Sequence, residues 1–296
     1  MKASKSSRYR VVDVFTDKAL EGNPLAVFTD AKGLTSDLMQ QIALEMNLSE
    51  TVFVLPPTRS DCAAKLRIFT PGKEMKFAGH PTIGTSFILL EEGLVPKNTL
   101  KFFVEENIGP ISINVDSGPS PKLWLTTPPI QEGVGVDRET AAGLLGLNES
   151  QLLEIEPQVL DAGGNPTLYV PVIDRETVDR VAFDTSAWKR FISEHSEPMC
   201  VFAFAPVAEG AYSRMFAPDY GVVEDPATGS STGPLAAYMM KHKLVSSKSG
   251  TTFYSEQGTR MKRRSILHVR IHGEAGAEGI EVGGSVTPVL EGTLTL

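Results

Sequence analysis

The chain has 296 residues, of which 41% are apolar and 22% are charged, and its formal net charge is −8. This composition is typical of a globular protein, the length suits two domains with separate cores, and no apolar run is long enough to span a membrane. The acidic balance, without a basic stripe interleaved with aromatic residues, excludes the usual nucleic-acid-binding classes. Only two cysteines are present, too few for a disulfide framework, so we expect a cytoplasmic protein.

Short segments of alternating or apolar residues predict strands along the whole chain. These segments are 10–15, 25–28, 51–55, 111–115, 122–126, 167–172, 200–205 and 266–271. The turn-forming residues 116–121 interrupt this pattern and mark the predicted domain boundary. We therefore assign residues 1–118 to an N-terminal half-domain and residues 122–280 to a C-terminal one. A last strand, at about 281–296, could return to the first half.

Three segments predict the main helices. Residues 35–46 begin with a Thr-Ser-Asp cap and place apolar side chains on one face. Residues 81–92 are apolar almost all round and end before Gly93, which predicts a buried helix wrapped by sheet. Residues 234–243 end in a cationic turn, which favours a helix C-terminus. Because strands dominate and helices are few, the predicted fold class is α+β with largely antiparallel sheets.

Sequence motifs of the first half return, in the same order, in the second half. The matched pairs are 22–24 with 164–166 (Gly-Asn-Pro), 67–71 with 214–218 (Arg-x-Phe-x-Pro), and 103–106 with 254–257. Three collinear matches at slowly growing offsets indicate two related, pseudosymmetric halves. A chain of this kind tends to place its chemistry in the cleft between the halves.

Glycine-rich segments, 79–82 and 228–234, precede the second and third predicted helices. Both offer glycines, small polar caps and an early proline. A helix N-terminus presents unpaired backbone N–H groups and the positive end of the helix dipole, so it binds carboxylates. Two ordinary capped helices would explain each segment alone, but the repeat favours two termini that bind one small anionic substrate.

Three titratable residues lie next to these segments. Glu50 stands beside the apolar run 52–55, where partial burial would raise its pKa towards a value useful for proton transfer. The alternative is a surface carboxylate at the end of a strand. His80 and Asp225 are the titratable groups beside the two helix starts, and the flanking glycine and proline fix the backbone of His80. The spacing of histidines and cysteines indicates no metal site, and no phosphate-loop or dinucleotide motif is present.

A rival motif overlaps the second glycine-rich segment. Gly229-Ser230-Ser231-Thr232-Gly233 matches the Gly-x-Ser-x-Gly elbow of serine hydrolases, with Ser231 as the nucleophile. That elbow needs a buried strand before it, whereas the preceding residues read Glu-Asp-Pro-Ala-Thr. It also needs an acid and a histidine downstream, and only Glu256 with His268 could serve. A serine hydrolase is therefore the weaker alternative.

Taken together, these motifs resemble the phenazine-biosynthesis PhzF-like family, within the wider diaminopimelate epimerase-like fold. The residues that carry the resemblance span nearly the whole chain and are 12–17, 22–27, 47–51, 69–71, 77–84, 224–230 and 256–258. The resemblance implies two pseudosymmetric domains, each a largely antiparallel sheet or barrel wrapped around a central helix, with the active site in the cleft between them. It also implies a homodimer that uses no cofactor.

Epimerases and racemases of this fold use two cysteines, each beside the glycine at a helix start. The matching positions here are Ala78 and Thr228, while the two cysteines, Cys62 and Cys200, stand elsewhere in the sequence. The residue chemistry therefore excludes epimerisation by two thiols.

The resemblance implies instead an isomerase of the PhzF-like type acting on a small amino- or hydroxy-carboxylic acid. A single glutamate would remove a proton from an activated carbon and return it elsewhere on the same π-system. The implied site residues are Glu50, His80 and Asp225 for catalysis and Gly79, Gly229 and Ser230 for substrate binding. A non-catalytic metabolite-binding protein on the same scaffold is the alternative, and the joint presence of these residues favours the enzyme.

One departure from the family bears on the substrate. After Glu256-Gln257-Gly258 the family usually continues to Gly-Arg-Pro-Ser, whereas this chain reads Lys262-Arg263-Arg264-Ser265. A lysine in place of glycine and an arginine in place of proline change the backbone freedom and the charge at this point.

Overall fold

A computed structural model describes residues 6–118, 121–194 and 199–296. Two residues of the predicted boundary segment, Pro119 and Ser120, lie outside the described residues. The chain divides into two compact units, one formed by Met1–Thr126 with Gly283–Leu296 and the other by Thr127–Val282. Both units combine strands with helices, which confirms the predicted α+β class.

In its described part, the first unit contains two helices, α1 (Ser36–Met46) and α2 (Gly79–Glu91). Its strands are β1 (Ser6–Val14), β2 (Asn23–Phe28), β3 (Glu50–Leu55), β4 (Lys65–Phe69), β5 (Glu74–Met75), β6 (Lys101–Glu106), β7 (Gly109–Val115), β8 (Leu123–Thr126) and, at the end of the chain, β18 (Val286–Thr295). Strand β1 pairs antiparallel with both β2 and β18. Strands β2 and β3 are parallel, β3 and β4 antiparallel, β4 and β6 parallel, and β6, β7 and β8 antiparallel.

Helix α2 is the central helix of the first unit and contacts β1, β2, β3, β8 and β18. All of its residues are buried except Phe87, which is half-buried, and Glu91, which is exposed. This confirms the prediction of a buried helix wrapped by sheet. The helix begins two residues earlier than predicted, so Gly79 and His80 form its first turn instead of leading into it. Helix α1 packs its apolar face on Phe28, Phe53 and Phe69.

The described residues of the second unit form four α-helices: α3 (Arg138–Leu144), α4 (Arg175–Arg180), α5 (Thr185–Ser193) and α6 (Gly229–Lys241). Its strands are β9 (Ile130–Gly135), β10 (Gln158–Ala162), β11 (Thr167–Pro171), β12 (Cys200–Val207), β13 (Gly210–Ala217), β14 (Val222–Asp225), β15 (Thr252–Gln257) and β16 (Ser265–His272), and β17 (Gly279–Gly284) follows them in the chain. Strands β9, β10 and β11 form an antiparallel series. Beyond them β11 and β12 are parallel, β12 and β13 antiparallel, β13 and β15 parallel, and β15 and β16 antiparallel.

The two units therefore repeat one topology. The series β2–β3–β4–β6–β7 and the series β11–β12–β13–β15–β16 have the same alternation of parallel and antiparallel pairs. The repeated sequence motifs lie at equivalent points of the two series. Each series surrounds one apolar helix, α2 in the first unit and α6 in the second. The repeat in the sequence is thus a repeat of the fold.

Helix α6 corrects one prediction. It begins at Gly229, five residues before the predicted start, and contains Pro234 in its interior. A proline there forfeits one backbone hydrogen bond, which is why the sequence pattern placed the helix start at this residue. The small residues of the first turns allow close packing instead: a Cβ on Gly233 would lie 2.2 Å from the Thr127 hydroxyl oxygen. Packing of the buried helix outweighs the lost hydrogen bond.

Candidate active site

Glu50 lies at the start of β3, directly opposite Leu25 of β2. Helix α1 ends at Met46, and the left-handed backbone of its C-cap residue Asn47 (φ 51°) turns the chain into this strand. The Glu50 side chain is only 14% exposed. It is therefore a partly desolvated carboxyl group that still reaches the surface of the unit.

His80 faces Glu50 from the first turn of α2. Its Nε2 atom lies 3.4 Å from Glu50 Oε2, and its Nδ1 atom lies 3.1 Å from the side-chain amide nitrogen of Asn23. An amide nitrogen can only donate a hydrogen bond, so Nδ1 accepts, and the neutral ring carries its proton on Nε2. Burial lowers the pKa of His80 to about 3. At neutral pH the ring is thus neutral, with its Nε2 atom in contact with the Glu50 carboxylate but not hydrogen-bonded to it.

Asn23 is placed by the glycine before it. Gly22 has φ of +69°, and a Cβ at this position would lie 2.4 Å from the Val14 carbonyl oxygen. Only glycine adopts this conformation without strain while letting β1 approach so closely. The Gly-Asn-Pro motif therefore holds a buried amide at the head of β2, against His80.

The N-terminus of α2 has no side-chain cap. In the other helices of the described structure, except α6, the N-cap side chain accepts from a backbone N–H group; these caps are Thr35, Asp137, Asp174 and Asp184. In α2 the N-cap residue is Ala78, which has no polar side chain. The N–H groups of Gly79 and His80 have no acceptor within the helix. They are suited to bind an anion.

Helix α6 likewise lacks a side-chain cap, although its N-cap residue is Thr228. The prediction of a small polar cap at this helix start is therefore wrong. The Thr228 hydroxyl lies 2.5 Å from Asp225 Oδ2 and is used by that carboxylate instead. Gly229 and Ser230 are the first two residues of the helix, and the Ser230 side chain is half-buried. The structure thus brings Asp225 next to the predicted anion-binding turn of its own unit.

Gln257 fixes the direction of the Thr228 hydroxyl. The Gln257 side-chain amide donates to the Asp225 carbonyl oxygen at 2.7 Å and to Thr228 Oγ1 at 3.0 Å, while its oxygen accepts from the Thr228 N–H group. Because Thr228 Oγ1 accepts from Gln257, its own proton is directed to the Asp225 carboxylate. Two buried neutral side chains, those of Thr228 and Gln257, therefore orient the buried Asp225.

The Glu50–His80 pair of the first unit has no copy in the second. Equivalent register places Glu50 opposite Leu25 in the first unit and Cys200 opposite Thr167 in the second. The position of His80, after the first glycine of the central helix, is taken by Ser230. Scaffold and helix termini are repeated, and the titratable pair is not.

The geometry does not favour the serine hydrolase. Ser231 is buried in the first turn of α6, where its hydroxyl lies 3.0 Å from the Thr167 hydroxyl. The Glu256 carboxylate accepts from Thr259 and lies 3.2 Å from an Arg264 nitrogen. The His268 ring packs on Tyr254. A nucleophile elbow instead exposes its serine at the end of a strand.

The Lys262-Arg263-Arg264 segment joins a short 3₁₀ turn to β16. Lys262 adopts a left-handed conformation (φ 59°), which glycine adopts more easily. Arg264 and Arg175 both bind the Glu256 carboxylate, at 3.2 and 3.1 Å. The departure from the family pattern therefore adds an ion pair to Glu256.

Three residues of this arrangement, Asn23, Thr228 and Gln257, were not predicted as site residues. Asn23 and Gln257 lie in repeated motifs, so the repeat was the available signal. Their roles depend on partners such as His80, which is 57 residues from Asn23.

Within the described residues, no group of three or more His, Cys, Asp or Glu side chains could hold a metal ion. In the same part of the chain, no helix is long and apolar enough to cross a membrane.

Comparison with solved structures supports the fold. The crystal structure of a PhzF-family phenazine biosynthesis protein from Bacillus anthracis matches with a TM-score of 0.84 and 25% identity, covering 99% of this chain and 100% of that one. A hydroxyproline epimerase from Agrobacterium vitis shares the fold alone, with a TM-score of 0.69 and 14% identity over 100% of this chain and 94% of that one. The predicted epimerase-like fold is thereby confirmed.

Sequence comparison identifies the family. A trans-2,3-dihydro-3-hydroxyanthranilate isomerase from Pseudomonas chlororaphis is 35% identical over 292 residues, which cover 97% of this chain and 99% of the relative. This relationship confirms the prediction that the chain is an isomerase. Residues 12–292 match the model of the phenazine biosynthesis-like protein family. Since both matches extend over nearly the full length, the chain belongs to the phenazine biosynthesis-like (PhzF) family.

Proposed function

We propose that this isomerase acts on a small amino- or hydroxy-carboxylic acid and that Glu50 is its single acid/base group. The observation that carries the proposal is the 3.4 Å contact between Glu50 Oε2 and His80 Nε2. A neutral imidazole with its proton on Nε2 lies against the carboxylate and does not compete with it for a substrate proton.

In the proposed reaction the Glu50 carboxylate removes a proton from a carbon next to a π-system. The electron pair of the broken C–H bond enters that π-system, and the double bond shifts. The neutral Glu50 carboxyl then returns the proton to another carbon of the same system, so that no proton is gained or lost. General acid/base catalysis contributes about 10²–10⁴-fold, and positioning of the substrate supplies much of the remaining acceleration.

The uncapped helix termini support an anionic substrate. We propose that the N–H groups of Gly79, Gly229 and Ser230 bind its carboxylate and that Asp225 binds an amino or hydroxyl substituent in the same reaction. The substrate named for the Pseudomonas relative, trans-2,3-dihydro-3-hydroxyanthranilate, carries all three groups. It is the first compound to test. The homodimer and the cytoplasmic location remain predictions, and light scattering after gel filtration measures the former.

The experiment is turnover of trans-2,3-dihydro-3-hydroxyanthranilate in deuterated water. We expect the wild-type chain to form an isomer with one carbon-bound deuterium, because an exchangeable carboxyl group transfers the proton. Glu50→Gln removes that group and should abolish turnover while leaving ligand affinity within a few-fold. Glu45→Gln, which changes an exposed glutamate on α1, is the matched control and should behave as wild type.

Two outcomes contradict the proposal. Unchanged turnover in Glu50→Gln would remove Glu50 from its role. Saturable binding of cyclic amino or hydroxy acids by the wild-type chain, without turnover or deuterium uptake from any of them, would favour the metabolite-binding alternative. A ligand present at about 100 times its dissociation constant adds about 2.7 kcal/mol of stability, so thermal shift detects such binding.

A further inference from the structure

Glu106 is a buried carboxyl group that lies at the start of α2 and takes no part in the proposed reaction. It is the last residue of β6 and is 3% exposed. Its Oε1 atom is in hydrogen-bonding contact with the Thr82 hydroxyl oxygen. The same Thr82 oxygen lies 2.6 Å from the carbonyl oxygen of Ala78, the N-cap residue of α2.

These two contacts require a proton on Glu106. The Ala78 carbonyl oxygen can only accept, and so can an ionised carboxylate, while the Thr82 hydroxyl has a single proton. Both contacts are hydrogen bonds only if Thr82 donates to Ala78 and Glu106 donates to Thr82. The equivalent threonine of the second unit, Thr232, also bonds back to the N-cap carbonyl, at 2.9 Å from Thr228.

The surroundings of Glu106 favour the neutral form. Burial raises the pKa of Glu106 to about 8, against hydrogen bonds from Thr82 and the Ala78 backbone that lower it. Strand β7, which pairs with β6, carries no titratable side chain. The titratable residues of the other adjoining elements are Lys65 and Arg67 on β4, Lys101 and Glu105 on β6, and His80 and Glu91 on α2. None of them contributes to the shift.

The repeat shows the role that a neutral group has at this position. In the matched motifs Glu106 corresponds to Gln257, and both residues end the strand that follows the central helix. Gln257 is an uncharged amide, fully buried, that binds the N-cap residue of α6 through its backbone N–H group and its hydroxyl. A protonated glutamic acid has nearly the shape of glutamine, with one donor and one acceptor.

We propose that Glu106 is a positioning residue that works as a neutral carboxylic acid and holds the first turn of α2 through Thr82 and Ala78. That turn carries Gly79 and His80. When Glu106 ionises, Thr82 can no longer satisfy both neighbours, and the turn and the His80 ring shift. The consequence for turnover rests on the proposed function, whereas the protonation and the movement of His80 do not.

The first test is the pH dependence of stability. A carboxyl group whose pKa is raised on folding stabilises the folded chain fully below its unfolded pKa, and this contribution is lost as the pH rises to the folded value. For Glu106 the window runs from 4.5 to about 8. The melting temperature of Glu106→Gln minus that of wild type should therefore increase steadily between about pH 5 and pH 8.5.

The matched control is Glu105→Gln, on the same strand. Hydrogen bonds from Thr58, with Lys65 nearby, lower the pKa of Glu105 to about 2. It is ionised throughout the tested window, so its difference from wild type should stay constant. A constant difference for Glu106→Gln as well would show that Glu106 is not protonated, and the proposal would fail.

The second test follows the His80 ring directly and requires no substrate. The pKa of His80 is about 3, so its ring nitrogens do not titrate near pH 8. In wild type we expect the His80 nitrogen resonances to shift between about pH 7 and pH 9, because the turn moves. In Glu106→Gln they should stay fixed. Unshifted wild-type resonances would overturn the positioning role, even if the stability data show the proton.

The catalytic consequence is measured last. Wild type should lose kcat about 10-fold above pH 8, a loss equivalent to 1.4 kcal/mol, and Glu106→Gln should keep its rate there. If the chain does not turn over the tested substrate at all, the proposed function fails, while the stability and resonance measurements still decide the proposal on Glu106. An alkaline loss that is identical in both chains would contradict the positioning role.

Discussion

His80 Nε2 and Glu50 Oε2 lie 3.4 Å apart, and the neutral ring turns its N–H side towards the carboxylate. Asn23 determines this direction by donating to Nδ1, and burial keeps the ring neutral. The three side chains form a series of contacts that runs from Asn23 through His80 to Glu50. Predictions about the site can therefore be made for each member separately.

The first prediction concerns His80 and acid pH. Its pKa is lowered on folding from 6.5 to about 3, so the stability that it contributes is present above 6.5 and is lost as the pH falls towards the folded value. We expect the melting temperature of wild type minus that of His80→Gln to decrease between about pH 7 and pH 4. Differential scanning fluorimetry at closely spaced pH values measures this.

The control for this prediction is His272→Gln. The His272 side chain is 45% exposed and lies 2.8 Å from Glu281. A buried neutral histidine loses stability in acid because its charged form is poorly solvated, and His272 is not in that position. If the two variants differ from wild type by the same pH-dependent amount, burial of His80 is not the cause.

The second prediction concerns Asn23. Asn23→Asp places a carboxylate against Nδ1, which draws the ring proton to that nitrogen and turns the Nε2 lone pair towards Glu50. A lone pair would then face the carboxylate in place of an N–H group, so kcat should fall about 10- to 100-fold, a loss of about 1.4–2.7 kcal/mol. The nitrogen chemical shifts of His80 should exchange their assignments at the same time.

Asn165→Asp is the matched control for this change. It alters the same motif in the second unit, where the residue equivalent to His80 is Ser230. We expect little change in kcat for this variant. An equal loss of kcat in both variants would point to a general effect on the motif and against a tautomer effect at His80.

Much of the fold could be predicted because the repeated motifs are also structural requirements. The repeated arginines form the same pair in each unit: Arg67 binds Glu74, and Arg214 binds Glu224. Each guanidinium also lies 5.1 Å from the centre of the phenylalanine ring two residues later. These residues appear in the sequence at fixed spacing because their partners are close in the chain.

The remaining features depend on distant partners or on short elements. Helices α3, α4 and α5 have at most nine residues each, too few for a clear apolar period, although an aspartate caps each of them. They cover a core that includes the buried Trp188. The proton on Glu106 depends on Thr82, which lies 24 residues earlier, and no local pattern reveals it.

The third prediction concerns Thr228. Thr228→Val keeps the shape of the side chain but removes the hydroxyl that lies between Gln257 and Asp225. A buried donor and a buried carboxylate each lose a partner, which costs about 1–3 kcal/mol of stability. We expect a lower melting temperature and a lower kcat. Thr228→Ser retains the hydroxyl and should restore both, and failure of this rescue would show that the methyl group is the important part.

The fourth prediction concerns Gly22, whose φ of +69° places a new Cβ 2.4 Å from the Val14 carbonyl oxygen and 2.6 Å from the Thr16 methyl group. Gly93 has nearly the same φ, +73°, with no atom within 4 Å of a new Cβ. A left-handed alanine costs about 1–3 kcal/mol by itself, so Gly93→Ala measures that cost alone. We expect Gly22→Ala to lose clearly more stability in urea unfolding, because β1 must move. Since Asn23 follows directly, the His80 nitrogen resonances should shift in Gly22→Ala and stay fixed in Gly93→Ala. Equal losses in the two variants would mean that the close approach of β1 does not restrict this motif.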